Sequence, residues 1–267
     1  MPTPDVIQSP LLRLPGRVHG FTTRRGGVSQ GVFAALNFSP KWPEDHEAVL
    51  ENHRLLADHL GYDPARLYRV FQVHGAHGVR VDGESVRDVY ANQADYLVTD
   101  RPGVTVGVIT ADCVPVLLAD ATRPAVAAVH AGWRGLVAGV IQAAVRRLER
   151  DFGSRPAQLR AALGPSIGPC CFEVGPEVVD AFQQAFPGAQ QLIHPAGTGP
   201  ARGKRPHVDL WTAARLALLG AGLEPAHIDA PPPCTMCAPE RFHSYRREGP
   251  RVGQHLSVIG LRPAEPL

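Results

Sequence analysis

Three apolar segments follow one another almost without pause between residues 104 and 131: VTVGVIT (104–110), VPVLLAD (114–120) and AVAAVHA (125–131). Each is short, rich in β-branched residues and bounded by turn signals, which predicts three successive strands. Strands this apolar need cover, so most of the fold has to be arranged around them. The run also has to accommodate Asp112 and Cys113, set side by side between the first two segments. Two readings stand open. The pair is a satisfied turn beside an inert buried cysteine, or the thiol is a reactive or metal-bound thiolate at a strand end.

The rest of the chain supplies the cover. After Gly132 the period changes: Leu136, Val140, Ala144 and Leu148 fall on one helical face, Arg146, Arg147 and Arg150 point elsewhere, and Gly153 ends the helix. A helix at 44–60 opens on Pro43, Glu44 and Asp45 and stops at Gly61. Further helices are expected at 176–186 and, behind an Asp209 cap, at 209–220. HLSVIGL (255–261) reads as a last strand. Helices and strands mix without a regular βαβ alternation, which predicts an α+β fold with mixed sheets and packed helices. One catalytic domain over 1–267 is expected, with 1–17 as an N-terminal extension and 194–207 as an exposed loop.

Composition narrows the setting. Hydrophobic residues make up 44% and charged residues 19%, and the net charge is only +2, so neither disorder nor binding to nucleic acid or an anionic membrane is indicated. Asp112 and Asp120 interrupt the longest apolar stretch before it reaches the roughly 20 residues of a membrane span. The N-terminus lacks a basic region followed by an apolar run. A soluble, cytoplasmic, monomeric protein is the expectation. Five cysteines is an odd number, which favours free thiols or metal ligands over a disulfide framework.

Three segments set a metal-capable side chain at the end of an apolar run and before a turn: FQVHGAHG with His74, TADCVP with Cys113, and VHAGWRG with His130. Such positions lie on the rim of a sheet, where residues distant in sequence converge. Two imidazoles and a thiolate make a suitable zinc set, and three protein ligands leave a fourth position for water or substrate. A closed structural site would show four ligands with paired short spacings. His77 is either an additional ligand or a residue of a solvated turn.

The ordered motifs HGFTTRRGGVSQG (19–31), FQVHG (71–75), ADYLVT (94–99), ITADCVPVLLAD (109–120), VHAGWRGL (129–136), LGPSIGPCCFEVG (163–175) and FHSYRREG (242–249) resemble the family long named multicopper polyphenol oxidases or laccases. Its members are regarded as zinc-dependent purine nucleoside phosphorylases with side activities on adenosine. The resemblance runs from about residue 18 to residue 261. It implies an α+β fold related to a cysteine-hydrolase-like class, and zinc held by His74, Cys113 and His130. In its light Arg24 and Ser29 of TTRRGGVS become phosphate candidates, since glycines admit close approach and arginine grips phosphate in two places. Otherwise that motif is a Gly-Gly hairpin with solvated arginines. Arg134 and, more weakly, Arg246 are further phosphate candidates. Glu173 is a candidate general acid or base and Asp112 a carboxylate that orients a ligand, unless either only caps backbone N–H groups. Cys234 and Cys237 form a C-x-x-C whose role is structural or incidental. His243 is a poor third ligand for that pair, because the family usually carries an aromatic residue there.

Three activities are therefore weighed. The first is phosphorolysis of adenosine, inosine, guanosine and methylthioadenosine to free base and ribose 1-phosphate (or its methylthio counterpart), with adenosine deamination on the side. The second is a cysteine hydrolase with Cys113 as nucleophile and His74 or His130 as base, acting for instance on cell-wall precursors. The third is a copper-dependent oxidase. The chain contains none of the H-x-H pairs that build multicopper centres, so copper is expected only as a substitute for zinc in the same ligand set.

Overall fold

The three apolar segments become strands, but the first and second belong to different sheets. In the computed structural model, which describes residues 2–200, 203–229 and 232–263, the strands are β1 (Val6–Ile7), β2 (Arg17–Thr22), β3 (Leu67–Tyr68), β4 (Gly78–Arg80), β5 (Tyr96–Thr99), β6 (Thr105–Thr110), β7 (Val114–Asp120), β8 (Val126–Ala131), β9 (Leu159–Leu163), β10 (Ile193–His194), β11 (His207–Val208) and β12 (His255–Leu261). The helices are α1 (His46–Leu60), α2 (Val86–Tyr90), α3 (Trp133–Val137), α4 (Val140–Phe152), α5 (Pro176–Ala185), α6 (Leu210–Gly220) and α7 (Tyr245–Glu248). One five-stranded sheet has the order β1-β2-β12-β6-β3 and the other β4-β5-β8-β7-β9. The β3–β6 and β4–β5 pairs are parallel and the other pairs within these two sheets antiparallel.

Side-chain alternation explains the stacking. Leu117 and Ala119 of β7, with Leu97, Val126, Ala128 and Ala162, meet Phe21, Val106, Val108 and Ile259 of the opposing sheet in one core. Val114, Val116 and Leu118 point the other way, onto Leu136 of α3, Ile141 and Leu148 of α4, Phe182 of α5 and Leu218 of α6. On the far side of the first sheet, Val18, Leu256 and Val258 pack with Leu56 and Leu60 of α1. The result is four layers: helix, sheet, sheet, helices. Both faces of β7 and β8 are covered, which is why these strands read as continuous apolar runs rather than as alternating ones. Each Val or Leu so buried contributes about 1.5–3 kcal/mol.

The helices follow their predicted signals with one difference. Residues 133–152 form two helices, because Gly139 adopts a left-handed φ of 79° between α3 and α4. Leu136, Val140, Ala144 and Leu148 nonetheless share one core. The Asp209 side chain accepts from Trp211 N and Thr212 N at 3.0 Å, capping α6 as expected. The stretch 1–17, set aside as an extension, contributes β1 to a sheet and the fully buried Leu12 to the core; residue 1 lies outside the described residues. The expected loop at 194–207 begins and ends in β10 and β11, which pair antiparallel; residues 201 and 202 lie outside the described residues. No helix among the described residues is long and apolar enough to cross a membrane.

Candidate functional site

The change of sheet between β6 and β7 takes place in the three residues 111–113, and the middle one is strained into shape. Asp112 has φ 91°, a left-handed conformation that non-glycine residues adopt at a cost of order 1–3 kcal/mol. Its carboxylate holds the turn: Oδ1 accepts from Thr235 Oγ1 at 2.6 Å, and Oδ2 accepts from Ser244 Oγ at 3.0 Å and Arg246 N at 2.7 Å. Asp112 thus laces two distant segments to the turn, and these hydrogen bonds go to Thr235, Ser244 and Arg246 rather than to His74 or His130. Cys113, the next residue, projects from the start of β7.

His74 is the second residue with a left-handed backbone, at φ 62°. A carboxylate pins this turn too. Asp95, fully buried at the head of β5, accepts from His74 N at 2.9 Å and Gly75 N at 2.6 Å. The same carboxylate lies 2.8 Å from His130 Nδ1, and the Asp95 carbonyl accepts from His130 N at 2.7 Å. One aspartate therefore positions two candidate ligands. Holding Nδ1–H of His130 leaves its Nε2 lone pair for a metal or for the Cys113 thiol. Asp95 lies in the ADYLVT segment but looks there like any polar residue at a strand start, and its role depends on pairing between β5 and β8.

These constraints bring His74, Cys113 and His130 together. One ligand atom from each lies within 4.8 Å of the others. Cys113 Sγ is 3.8 Å from His74 Nε2, and the two imidazole centroids are 4.7 Å apart at 78°. Gly132 makes room for the group: a Cβ there would fall 2.9 Å from His74 Cδ2 and 3.0 Å from Cys113 Sγ. Burial pushes the Cys113 thiol up, but His130 and then His74 outweigh it by charge and hydrogen bonding and hold it at about 6. Burial likewise disfavours charge on His130, yet Cys113 and Asp95 together raise it to about 9. Burial acts upward on the Asp95 carboxyl as well, and hydrogen bonds from His130, Gly75 and His74 bring it below its ordinary value. The donor set, one thiol and two oriented histidine rings, can hold a metal ion once their protons are displaced. His77 is exposed directly before β4 and stands outside the group.

The three side chains open into a cavity of about 730 Å³, within the size range of small-molecule sites. Its walls carry three cations, Lys41, Arg134 and Arg246, and aromatic side chains including Phe71, Trp133 and Phe172. Arg134 is exposed and stacks 4.2 Å from the Trp133 ring. Arg246 lies over Phe172 at 5.4 Å and donates to the Glu173 carbonyl at 2.8 Å. Lys41, one of only two lysines, was invisible as a candidate because nothing around it forms a motif.

Other candidates are placed elsewhere. Arg24 donates to Ala34 O at 2.9 Å and Pro239 O at 3.0 Å and pairs with Glu248 at 3.2 Å. Ser29 is buried, donating to Asp45 Oδ2 at 2.8 Å and accepting from Asn52 Nδ2 at 3.0 Å. Neither residue lines the cavity, and the hydrogen bonds of both hold TTRRGGVS to neighbouring segments. The Glu173 carboxylate also turns away, toward Arg205 at 4.0 Å and His207; only its carbonyl supports the wall, through Arg246. Cys234 and Cys237 meet Cys170 and Cys171, the four sulfurs lying within 4.8 Å of one another. His243 is buried against His255, 5.2 Å between ring centroids, and is not part of that cluster.

Known proteins resemble this chain in sequence and in fold. Residues 18–262 match the family profile described as multi-copper polyphenol oxidoreductase laccase. A purine nucleoside phosphorylase of Pseudomonas aeruginosa is 40% identical over 249 residues, covering 93% of this chain and 95% of its own. An adenosine deaminase of an unknown prokaryotic organism is 37% identical over 250 residues, covering 91% and 93%. The crystal structure of YlmD from Geobacillus stearothermophilus superposes with a TM-score of 0.83 at 34% identity, over 95% of this chain and 94% of that one. A match running from β2 to the end of β12, with the fold shared as well as the sequence, means that the chain belongs to the multi-copper polyphenol oxidoreductase laccase family.

Proposed function

We propose that this protein is a zinc-dependent purine nucleoside phosphorylase, cleaving adenosine, inosine, guanosine or methylthioadenosine with phosphate to free base and the sugar 1-phosphate. The observation that carries the reading is a His74–Cys113–His130 group at a cavity that also presents Lys41, Arg134 and Arg246 and several aromatic faces. A purine offers a flat π-surface to Phe71 or Phe172, and a phosphate dianion matches the three cations. In the reaction a phosphate oxygen forms a bond to C1′ while the bond from C1′ to the base nitrogen breaks. Arg134 and Lys41 hold and orient the incoming phosphate, and Arg246 braces the wall beside Phe172 so that the sugar is presented in line. Asp95 keeps His130 in the tautomer that presents Nε2 inward. His74, Cys113 and His130 would hold the zinc ion, which would supply positive charge where negative charge develops in the transition state. The relationship to an adenosine deaminase supports a deaminating side activity at the same site. A cytoplasmic setting suits five free thiols, and the whole chain acting as one catalytic unit suits a cavity lined from Lys41 to Arg246.

The test is incubation of purified protein with adenosine or inosine, with and without phosphate. Phosphate-dependent formation of base and ribose 1-phosphate supports the proposal; release of free ribose, or none, overturns it.

A second reading is favoured by one observation. Cys113, His130 and Asp95 stand in a thiol–imidazole–carboxylate line, with His130 Nδ1 2.8 Å from Asp95, the arrangement that activates a nucleophilic cysteine. The cysteine-hydrolase-like relationship of the fold belongs to this reading. It predicts activity that survives chelation and is abolished by alkylation of Cys113. As for copper, the described residues offer one His₂Cys group and one Cys₄ group; copper(II) in the former substitutes for zinc and makes any oxidase activity a consequence of loading.

A further inference from the structure

The second cluster lies on the other side of the cavity wall. Cys170 and Cys171 sit in the turn after β9, where Cys171 N and Phe172 N both donate to Gly168 O at 3.0 Å. Cys234 and Cys237 sit in the segment leading to α7. The two segments are in register through a parallel bridge between Ser166 and Cys234 and through Thr235 N donating to Ser166 O at 3.0 Å. Backbone geometry alone thus delivers four thiols from sites more than sixty residues apart to one point.

Their spacing selects among the uses of four thiols. Cys237 Sγ is 3.5 Å from Cys170 Sγ and 3.4 Å from Cys171 Sγ. Disulfide sulfurs are bonded at about 2.05 Å, and all five cysteines of the chain are free. An iron–sulfur cluster needs a cage wide enough for several atoms. A single tetrahedral ion with bonds of about 2.3 Å sets neighbouring sulfurs about 3.8 Å apart, close to the spacing seen. Two polar groups lie beside the cluster. Gly168 N donates to Cys234 Sγ at 3.2 Å, and Arg247 reaches into the C-x-x-C loop, donating to Thr235 O at 2.9 Å and Met236 O at 3.1 Å. The Gly168 N–H offsets part of the negative charge that four thiolates bring to one ion, while Arg247, paired with Glu248 at 2.6 Å, ties the C-x-x-C loop to α7.

We propose that Cys170, Cys171, Cys234 and Cys237 form a second metal site, a closed four-thiolate site for zinc, which fastens the turn carrying Phe172 to the segment leading into Arg246. The sites differ in kind: the first is a three-ligand group facing a cavity, the second a four-ligand clasp between two loops. The clasp lies behind the wall, since Arg246 reaches the carbonyls of Cys171 and Glu173 and Thr235 anchors Asp112. It does not depend on which reaction the cavity performs.

The test is the zinc content of the full-length protein purified under reducing conditions without added metal, beside the Cys113→Ser and Cys237→Ser variants. About two zinc ions per chain are expected in the wild type, one lost in each variant. Cobalt substitution of wild-type protein gives an independent reading, because a tetrathiolate site produces strong sulfur-to-cobalt charge-transfer bands that persist in Cys113→Ser. Alkylation mapping of the native wild type covers a Cys237→Ser variant that does not fold: the four thiols should be protected until zinc is chelated. One zinc per chain that disappears with Cys113→Ser, equal alkylation of the four thiols before and after chelation, or a disulfide detected as a loss of two hydrogens in intact mass would each overturn the proposal.

Discussion

Asp95 and His130 are joined twice, carboxylate to Nδ1 at 2.8 Å and carbonyl to backbone N at 2.7 Å. Because the same carboxylate also accepts from His74 N and Gly75 N, one buried aspartate sets the orientation of one imidazole and the backbone of another. Asp95→Asn keeps the shape but replaces an oxygen acceptor by an N–H donor. Metal affinity should fall about 10–100-fold, measured by competition with a chromogenic chelator, with circular dichroism unchanged. Unaltered affinity would mean that His130 is held by packing alone.

Gly132 tests the tightness of the same group. Gly132→Ala puts a methyl 2.9 Å from His74 Cδ2 and 3.0 Å from Cys113 Sγ, and two ligands must move apart to admit it. The expected result is a weaker metal site by about tenfold or more, a misplacement of the kind that costs catalysis on the order of 100-fold. Metal titration and steady-state rates should fall together. A fully active, fully metal-loaded variant would show that the ligands have slack.

Arg134 and Ser29 separate the cavity from the TTRRGGVS segment. Arg134→Ala removes an exposed cavity cation and should lower kcat/KM for phosphate roughly 10–100-fold, the loss of one charge-assisted contact of about 1.5–3 kcal/mol. Ser29→Ala should instead leave the KM for phosphate unchanged and cost about 1–3 kcal/mol of stability, because Asp45 and Asn52 lose a buried partner. The reverse pattern would return the phosphate site to TTRRGGVS.

Two buried histidines that accept backbone hydrogen bonds contribute to the acid side of the stability profile, alongside His53, which burial lowers to about 3. His19 Nε2 accepts from Ser9 N, and His255 Nε2 accepts from His243 N, at 3.0 and 2.9 Å. Burial, the largest influence on each, lowers His19 to about 4 and His255 to about 3. An unfolded chain protonates both near pH 6.5, so below that pH it binds more protons than the folded chain. Stability should be fully present above about pH 6.5 and decline as pH falls toward 4 and 3. Calorimetric Tm values between pH 7.5 and 4.5 should fall accordingly, and His255→Gln should flatten the slope. A Tm that rises on acidification would contradict the assignment.

Much of this was legible in the chain itself, and the gaps have physical causes. Cys113, His74 and His130 were readable because each stands where an apolar run meets a turn signal, a pattern local in sequence. The division of β6 and β7 between two sheets was not, since a buried strand looks the same whichever sheet it joins. Arg24 and Ser29 looked available because Glu248, Asp45 and Asn52, which engage them, come from other motifs. Asp95 acts only through the pairing of β5 with β8. Cys234 and Cys237 looked incidental because their partners are an adjacent pair more than sixty residues upstream, not a second C-x-x-C.

The central claim, that His74, Cys113 and His130 form a metal centre on which phosphorolysis depends, is tested most directly by one comparison. Ribose 1-phosphate formation from inosine and phosphate is measured in protein stripped of metal, in the same protein reloaded with zinc, and in reloaded Cys113→Ser. The account predicts loss of activity on stripping, recovery on reloading, and no recovery in Cys113→Ser. Full activity in the stripped wild type, abolished only when Cys113 is alkylated, would contradict it and make Cys113 a nucleophile.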